Sequence, residues 1–186
     1  MKKLLILTLY TSFMHSTLLS SSSEEIKHDT MQQTQSLANT SALRIASKKG
    51  DTTLMQKFIQ LGADVNDVMG RDWPHAGRTL LVDAIDSGSY EAVKLLLDAG
   101  ADSEIQSEVL TDLNILNPRI RNFASLSYAI MVNAPIEIIE LLIHYSKNVN
   151  ISTDYYNWTP YKIAAFYKNY QAMAALSRAG AVTGGI

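Results

Sequence analysis

A helix–turn–helix pattern that recurs along the chain constrains the fold more than any other feature, and its clearest copy runs from Thr79 to Glu104. Thr79 stands where a helix start needs a side-chain acceptor. Leu81, Ala84 and Ile85 then share one face before Gly88 permits the positive φ of a turn. On the second helix Ala92, Val93, Leu96 and Leu97 form an apolar stripe at helical spacing. Glu91 and Lys94 pair three apart, and Gly100 takes the left-handed closing position. The same plan opens 38 residues earlier with Ser41-Ala-Leu-Arg-Ile-Ala46 and Gly50. It continues through Leu54, Met55, Phe58 and Ile59 to Leu61-Gly-Ala-Asp-Val-Asn66. It returns 80 residues after Thr79 with Thr159-Pro160-Tyr161-Lys162-Ile163-Ala164-Ala165, Ala172, Met173, Leu176 and Arg178-Ala-Gly-Ala181. Pro160 falls in a first helical turn, where its missing N–H does no harm. Between these lies a weaker copy from Ala124, with Leu126-Ser-Tyr-Ala129, Ile138 to Ile143 and Asn148-Val149-Asn150. One extra residue between its helices aligns both halves. The units therefore start at 41, 79, 124 and 159. One such hairpin cannot bury its own faces, so each needs its neighbours.

The pattern resembles the ankyrin repeat, which combines T-P-L-H-x-A, a mid-repeat glycine, a leucine-rich second helix and G-A-D-V-N. The likeness spans roughly residues 41 to 184. Its best pieces are Leu61-Gly-Ala-Asp-Val-Asn66, Leu95-Leu-Leu-Asp-Ala-Gly-Ala-Asp102 and Asp154-Tyr-Tyr-Asn-Trp-Thr-Pro160. The resemblance implies an all-α solenoid of four helix-turn-helix units, occupying 41–186, with two elongated inter-repeat loops. There are departures. Arg44, Val82, Ser127 and Lys162 replace the motif histidine, which removes a hydrogen-bonding group between repeats, and Ser146 stands where the closing glycine is expected.

Lys2 and Lys3 precede the apolar tract Leu4 to Tyr10, which fades through Thr11, Ser12 and His15 into Ser20–Ser23. This reads as a secretory signal peptide over residues 1–23, cleaved near Ser22 or Ser23. It is too short and too polar to span a bilayer, so no stable membrane insertion is expected after its removal. Export, to the periplasm or beyond, is the expectation. Residues 24–40 are polar with scattered Ile26, Met31 and Leu37, and read as a linker or an N-terminal cap. Removing residues 1–23 takes two lysines and no acid, leaving 14 basic against 18 acidic residues, or −4. That balance argues against nucleic acid as a partner.

Two connections exceed the 33-residue ankyrin period: Asp67 to Arg78 by about five residues, and Ile105 to Phe123 by about twelve. The second carries Val109, Leu110, Leu113, Ile115, Leu116 and Ile120, enough for a short packed helix. Insertions in repeat proteins collect on one face, often the binding face. Chemistry is harder to find. The chain has no cysteine, and none of His15, His28, His75 and His144 lies three to five residues from another histidine, so no metal motif or cofactor is expected. Gly88-Ser89-Tyr90-Glu91 lacks the second glycine of a nucleophile elbow. Asp83 and Asp86, three apart, are expected as solvated charges at a helix end rather than an acid–base pair. The chain therefore reads as a non-enzyme. A hydrolase hosted in the 105–123 insertion with His75 is the alternative.

What remains is a surface for a protein partner, met by a monomer. By the resemblance, contacts fall on hairpin tips and on the exposed ends of first helices. These are His75, Arg78, Asp86 and Ser87 in the second unit, and Arg121, Phe123, Met131 and Val132 in the third. In the fourth they are Tyr155, Tyr156, Trp158, Phe166 and Tyr167, with Lys48 and Lys49 in the first. Five aromatics in the fourth unit suggest a recognition patch, since Tyr and Trp dominate interface hot spots. The competing role for some of them is to close the end of the array. A periplasmic immunity or inhibitor protein blocking a secreted enzyme fits these features; an effector binding a host protein is the second reading.

Overall fold

The computed structural model describes residues 27–68, 77–108, 122–152 and 157–183, and the chain divides into two compact units, Met1–Ala38 and Asn39–Ile186. Residues 27–49 are helical and are labelled α1; in the first unit the Thr34 hydroxyl donates to the Thr30 carbonyl at 2.8 Å. Residues 1–23, read above as a signal peptide, lie outside the described residues, whereas the described part of 24–40 is helix.

The second unit begins with residues 39–49 of α1 and continues through α2 (Thr52–Gln60), α3 (Leu80–Asp86), α4 (Tyr90–Asp98), α5 (Ser125–Met131), α6 (Ile136–Tyr145), α7 (Pro160–Phe166) and α8 (Tyr170–Arg178). These form four helical hairpins. Local chemistry sets their ends: Asp51, Thr79, Ser89, Thr159 and Asn169 each accept a backbone N–H from the first turn that follows. Pro160 occupies the first turn of α7. Gly50 must be glycine twice over, because its φ is 65° and an added Cβ would lie 3.0 Å from Ser89 Cβ of the next hairpin. Asn133 (φ 53°) and Lys168 (φ 55°) make the equivalent turn without glycine, and Ala134 and Pro135 rather than one residue then lead into α6. That is the extra residue expected in the third unit.

Successive hairpins stack first helix on first helix and second on second: α3 on α5, α5 on α7, α2 on α4, α4 on α6 and α6 on α8. The two inner first helices are consequently enclosed, and every residue of Leu80–Ile85 and of Ser125–Met131 is buried. Second helices bury one stripe, which on α4 is Ala92, Val93, Leu96 and Leu97, as the periodicity predicts. Burying a leucine or isoleucine stabilises by about 1.5–3 kcal/mol, so Leu80, Leu96, Ile138, Ile139 and Leu142 dominate the core. Lys94 pairs with Asp98 one turn on (2.5 Å) rather than with the expected Glu91.

The loops join neighbours. Val68 bridges Thr79 antiparallel, and β1 (Ser107–Glu108) pairs antiparallel with β2 (Asn122–Phe123), so each long connection closes at its base. The expected short helix between Val109 and Ile120 lies outside the described residues. Asn66 clasps the next loop, its Nδ2 donating to Gly100 O (3.2 Å) and its Oδ1 accepting from Asp102 N (2.7 Å). Asn150 Oδ1 accepts from Val182 N (2.8 Å) in the same way. In the third unit Ser146 stays extended (φ −73°, ψ 132°), so α6 leaves along another path from the glycine-closed helices, and Asn148 N reaches back to Glu104 Oε1 (2.7 Å).

Candidate functional site

Two arrangements on the first-helix side stand out, one buried and one exposed. The buried one starts at Arg44. Its guanidinium donates to Asp83 Oδ2 (2.7 Å), Asp67 Oδ2 (2.8 Å) and the carbonyls of Arg78 and Asp67 (3.1 Å each). Arg78 Nε donates to Asp83 Oδ1 (3.1 Å) and its Nη2 to Asp86, while the Tyr128 hydroxyl donates to Asp86 Oδ1 (2.5 Å). Three hairpins are thus joined by one polar chain. Asp83, expected in solvent, is 1% exposed: its helix is covered on both sides, and two arginines satisfy its oxygens. Nor does Arg44 lose the inter-repeat hydrogen bond that the missing histidine suggested, because it makes four. Burial works against the Arg78 charge, but Asp83 and Asp86 outweigh it and hold its proton more tightly than usual. Burial, then the bond to Asp86, pushes the Tyr128 phenol up to about 12.

The exposed arrangement lies at first-helix ends. Val132 and Phe166 are 42% and 43% exposed. Phe166 meets Trp158 and Tyr167 edge to face, with both pairs of ring centroids 5.2 Å apart. Trp158 and Tyr167 pack partly against the core, and burial raises the Tyr167 phenol pKa. The other candidates are placed differently. Phe123 (3% exposed) and Met131 (8%) sit in the core; Arg78 and Asp86 are bonded to each other; the Ser87 hydroxyl donates to Ala84 O (2.7 Å) and accepts from Ser89 N (3.2 Å). His75, Arg121, Tyr155 and Tyr156 lie outside the described residues. Among described residues, no group of three or more His, Cys, Asp or Glu could hold a metal ion, and no helix is long and apolar enough to cross a membrane.

A family model described as ankyrin repeats in three copies matches residues 13–107, just over half of the chain. The chain belongs to the ankyrin-repeat family. Compared with curated proteins, it has no match. The match takes in the first two hairpins and reaches back into the segment read as a signal, whereas the residues quoted for the resemblance extend to 184. Ankyrin repeats indicate a protein–protein interaction module, and hence a protein partner. In this member of the family the motif residues have visible work: the asparagine of G-A-D-V-N clasps the following loop, and Thr79 of the T-P-L-H position caps α3 while its Oγ1 accepts from the buried Ser107 hydroxyl (3.1 Å). Sequence reasoning missed Arg44 and Asp67. The signal was weak, since Lys162 carries a charge at the same motif position of α7 and has no ion pair among the described residues, whereas Arg44 is buried and paired.

Proposed function

We propose that the protein is an exported array of four ankyrin repeats which, as a monomer, binds a protein partner stoichiometrically, and that this partner is a basic secreted enzyme blocked in the periplasm. The observation that carries the reading is the exposed Phe166 ring set edge to face against the half-buried Trp158 and Tyr167, with Val132 exposed at the end of the preceding first helix. Val132 and Phe166 stay exposed at the ends of α5 and α7, whereas Phe123 and Met131 are buried. The charge of −4 without residues 1–23 favours a basic partner through electrostatic steering. The basic start and apolar tract of residues 2–10 support export.

The test is purification of the full chain from its native host with what accompanies it. A basic enzyme encoded beside it, inhibited one to one, is the expected companion. Phe166→Ala should weaken that complex by about 2–4 kcal/mol with the unfolding midpoint unchanged. A variant that loses stability and keeps its affinity would make Phe166 an end cap instead.

A further inference from the structure

On the opposite side of the array a groove of about 580 Å³ runs between α4 and α6. Its floor is apolar, made by Pro135, Ile138 and Leu141 with the Tyr90 ring beside them. Its rim is acidic: Glu91, Glu137 and Glu140 line it together with His144, and among the described residues no lysine or arginine does. Glu140 pairs with Arg178 at 3.0 Å, whereas Glu91 and Glu137 have no ion pair among the described residues. Just beyond the rim, Lys94 is taken up by Asp98 (2.5 Å). Two carboxylates, each in the first turn of its helix, thus face open space across an apolar trough.

We propose that this groove seats a cationic amphipathic helix from a protein partner, on a surface separate from the first-helix ends. The shape selects a helix, because α6 is ten residues long and offers roughly 15 Å of trough, which a partner helix of about three turns fills with residues at i, i+3, i+4 and i+7. The charge selects lysine or arginine on its flanks, placed against Glu91 on one wall and Glu137 on the other. Among the described residues the groove's sole basic-capable group is His144, and the nearby Arg178 is already paired with Glu140.

The experiment uses the full chain and three 15-residue fluorescent peptides: a leucine–lysine amphipathic helix, its leucine–glutamate counterpart, and a scrambled leucine–lysine sequence without a continuous apolar face. The amphipathic lysine peptide should bind at least about tenfold tighter than either control, and its affinity should fall as salt is raised. Glu91→Gln with Glu137→Gln should weaken it about fivefold or more while the far-UV circular dichroism stays that of the folded array, whereas Phe166→Ala should leave it unaffected. Amide shifts on binding should cluster at residues 88–94 and 135–144. Equal binding of the scrambled peptide, indifference to the double glutamine change, or shifts gathered at Val132 and Phe166 would each overturn the proposal. That last outcome would leave the first-helix reading standing, and a loss of native partner on Phe166→Ala with peptide binding intact would separate the two surfaces.

Discussion

Asp83→Ala tests whether the buried polar chain holds the array together. The carboxylate is 1% exposed, and it accepts from Arg44 (2.7 Å) and from Arg78 (3.1 Å). Removing one partner of a buried ion pair costs about 3–5 kcal/mol, because the remaining charge stays desolvated without compensation. Here both arginines keep another acid, Asp67 for Arg44 and Asp86 for Arg78, so the low end applies and about 3 kcal/mol is expected. For a folded unit of this size that lowers Tm by roughly 6–12 °C. Urea unfolding followed by far-UV circular dichroism measures it. Arg44→Met alone should also destabilise, and the double variant should lose less than the two singles together, with a coupling of about 1.5–3 kcal/mol. A loss below about 1 kcal/mol for Asp83→Ala, or simple additivity, would show that the chain behaves like an exposed ion pair and refute the argument.

Other perturbations probe single links. Gly50→Ala should cost about 2 kcal/mol, because the strained φ is compounded by the 3.0 Å approach to Ser89, whereas Gly180→Ala, with nothing within 4 Å, should cost about 1 kcal/mol; urea midpoints distinguish them. Asn66→Ala removes both bonds to the next loop and should lower stability by about 1–2 kcal/mol in the same assay. The unfolded Tyr128 phenol ionises near 10 and the folded one near 12, so the unfolded chain loses its proton first. The stability held by this phenol is therefore complete below pH 10 and declines as pH rises toward 12. Tyr128→Phe should flatten that part of the decline in urea midpoints measured from pH 9 to 11.5.

Much of the helical framework was legible because its determinants are local. Thr79, Gly88, Gly100 and Pro160 act within one or two turns, and the α4 stripe needs only the 3.6-residue period. What failed was long-range. Nothing near Asp83 in sequence announces that Arg44, 39 residues away, will cover it. Helix-end positions carry the same lesson: Met131 ends a first helix that is packed by α3 on one side and α7 on the other, so it is buried, while Phe166 has no further hairpin beyond it among the described residues and stays exposed. Phe123 is enclosed because it belongs to the β ladder that closes the longer connection. Lys94 had acids on both sides of it along the helix, and the choice of Asp98 over Glu91 rested on side-chain geometry that composition does not encode.

The junctions between hairpins are chemically unequal, and this has a dynamic consequence. Buried ion pairs join the first hairpin to the second, and Asp86 with Tyr128 joins the second to the third. Between the third and fourth, the polar links are Asn169 to Asn133 (3.3 Å), Arg178 to Glu140 (3.0 Å) and Val182 N to Asn150 (2.8 Å), all exposed. Exposed ion pairs contribute only about 0–1 kcal/mol, and α8 buries Ala172, Ala175 and Leu176 where α6 buries Ile138, Ile139, Leu141 and Leu142. In a stacked array stability is close to a sum of unit and junction terms, so the weakest junction opens first. Native-state hydrogen exchange should therefore show α7 and α8 exchanging through a smaller opening free energy than α3 and α4. Equal protection of both pairs would mean that apolar stacking alone sets the junction strengths, and that the Arg44–Asp83 chain does something other than hold hairpins together.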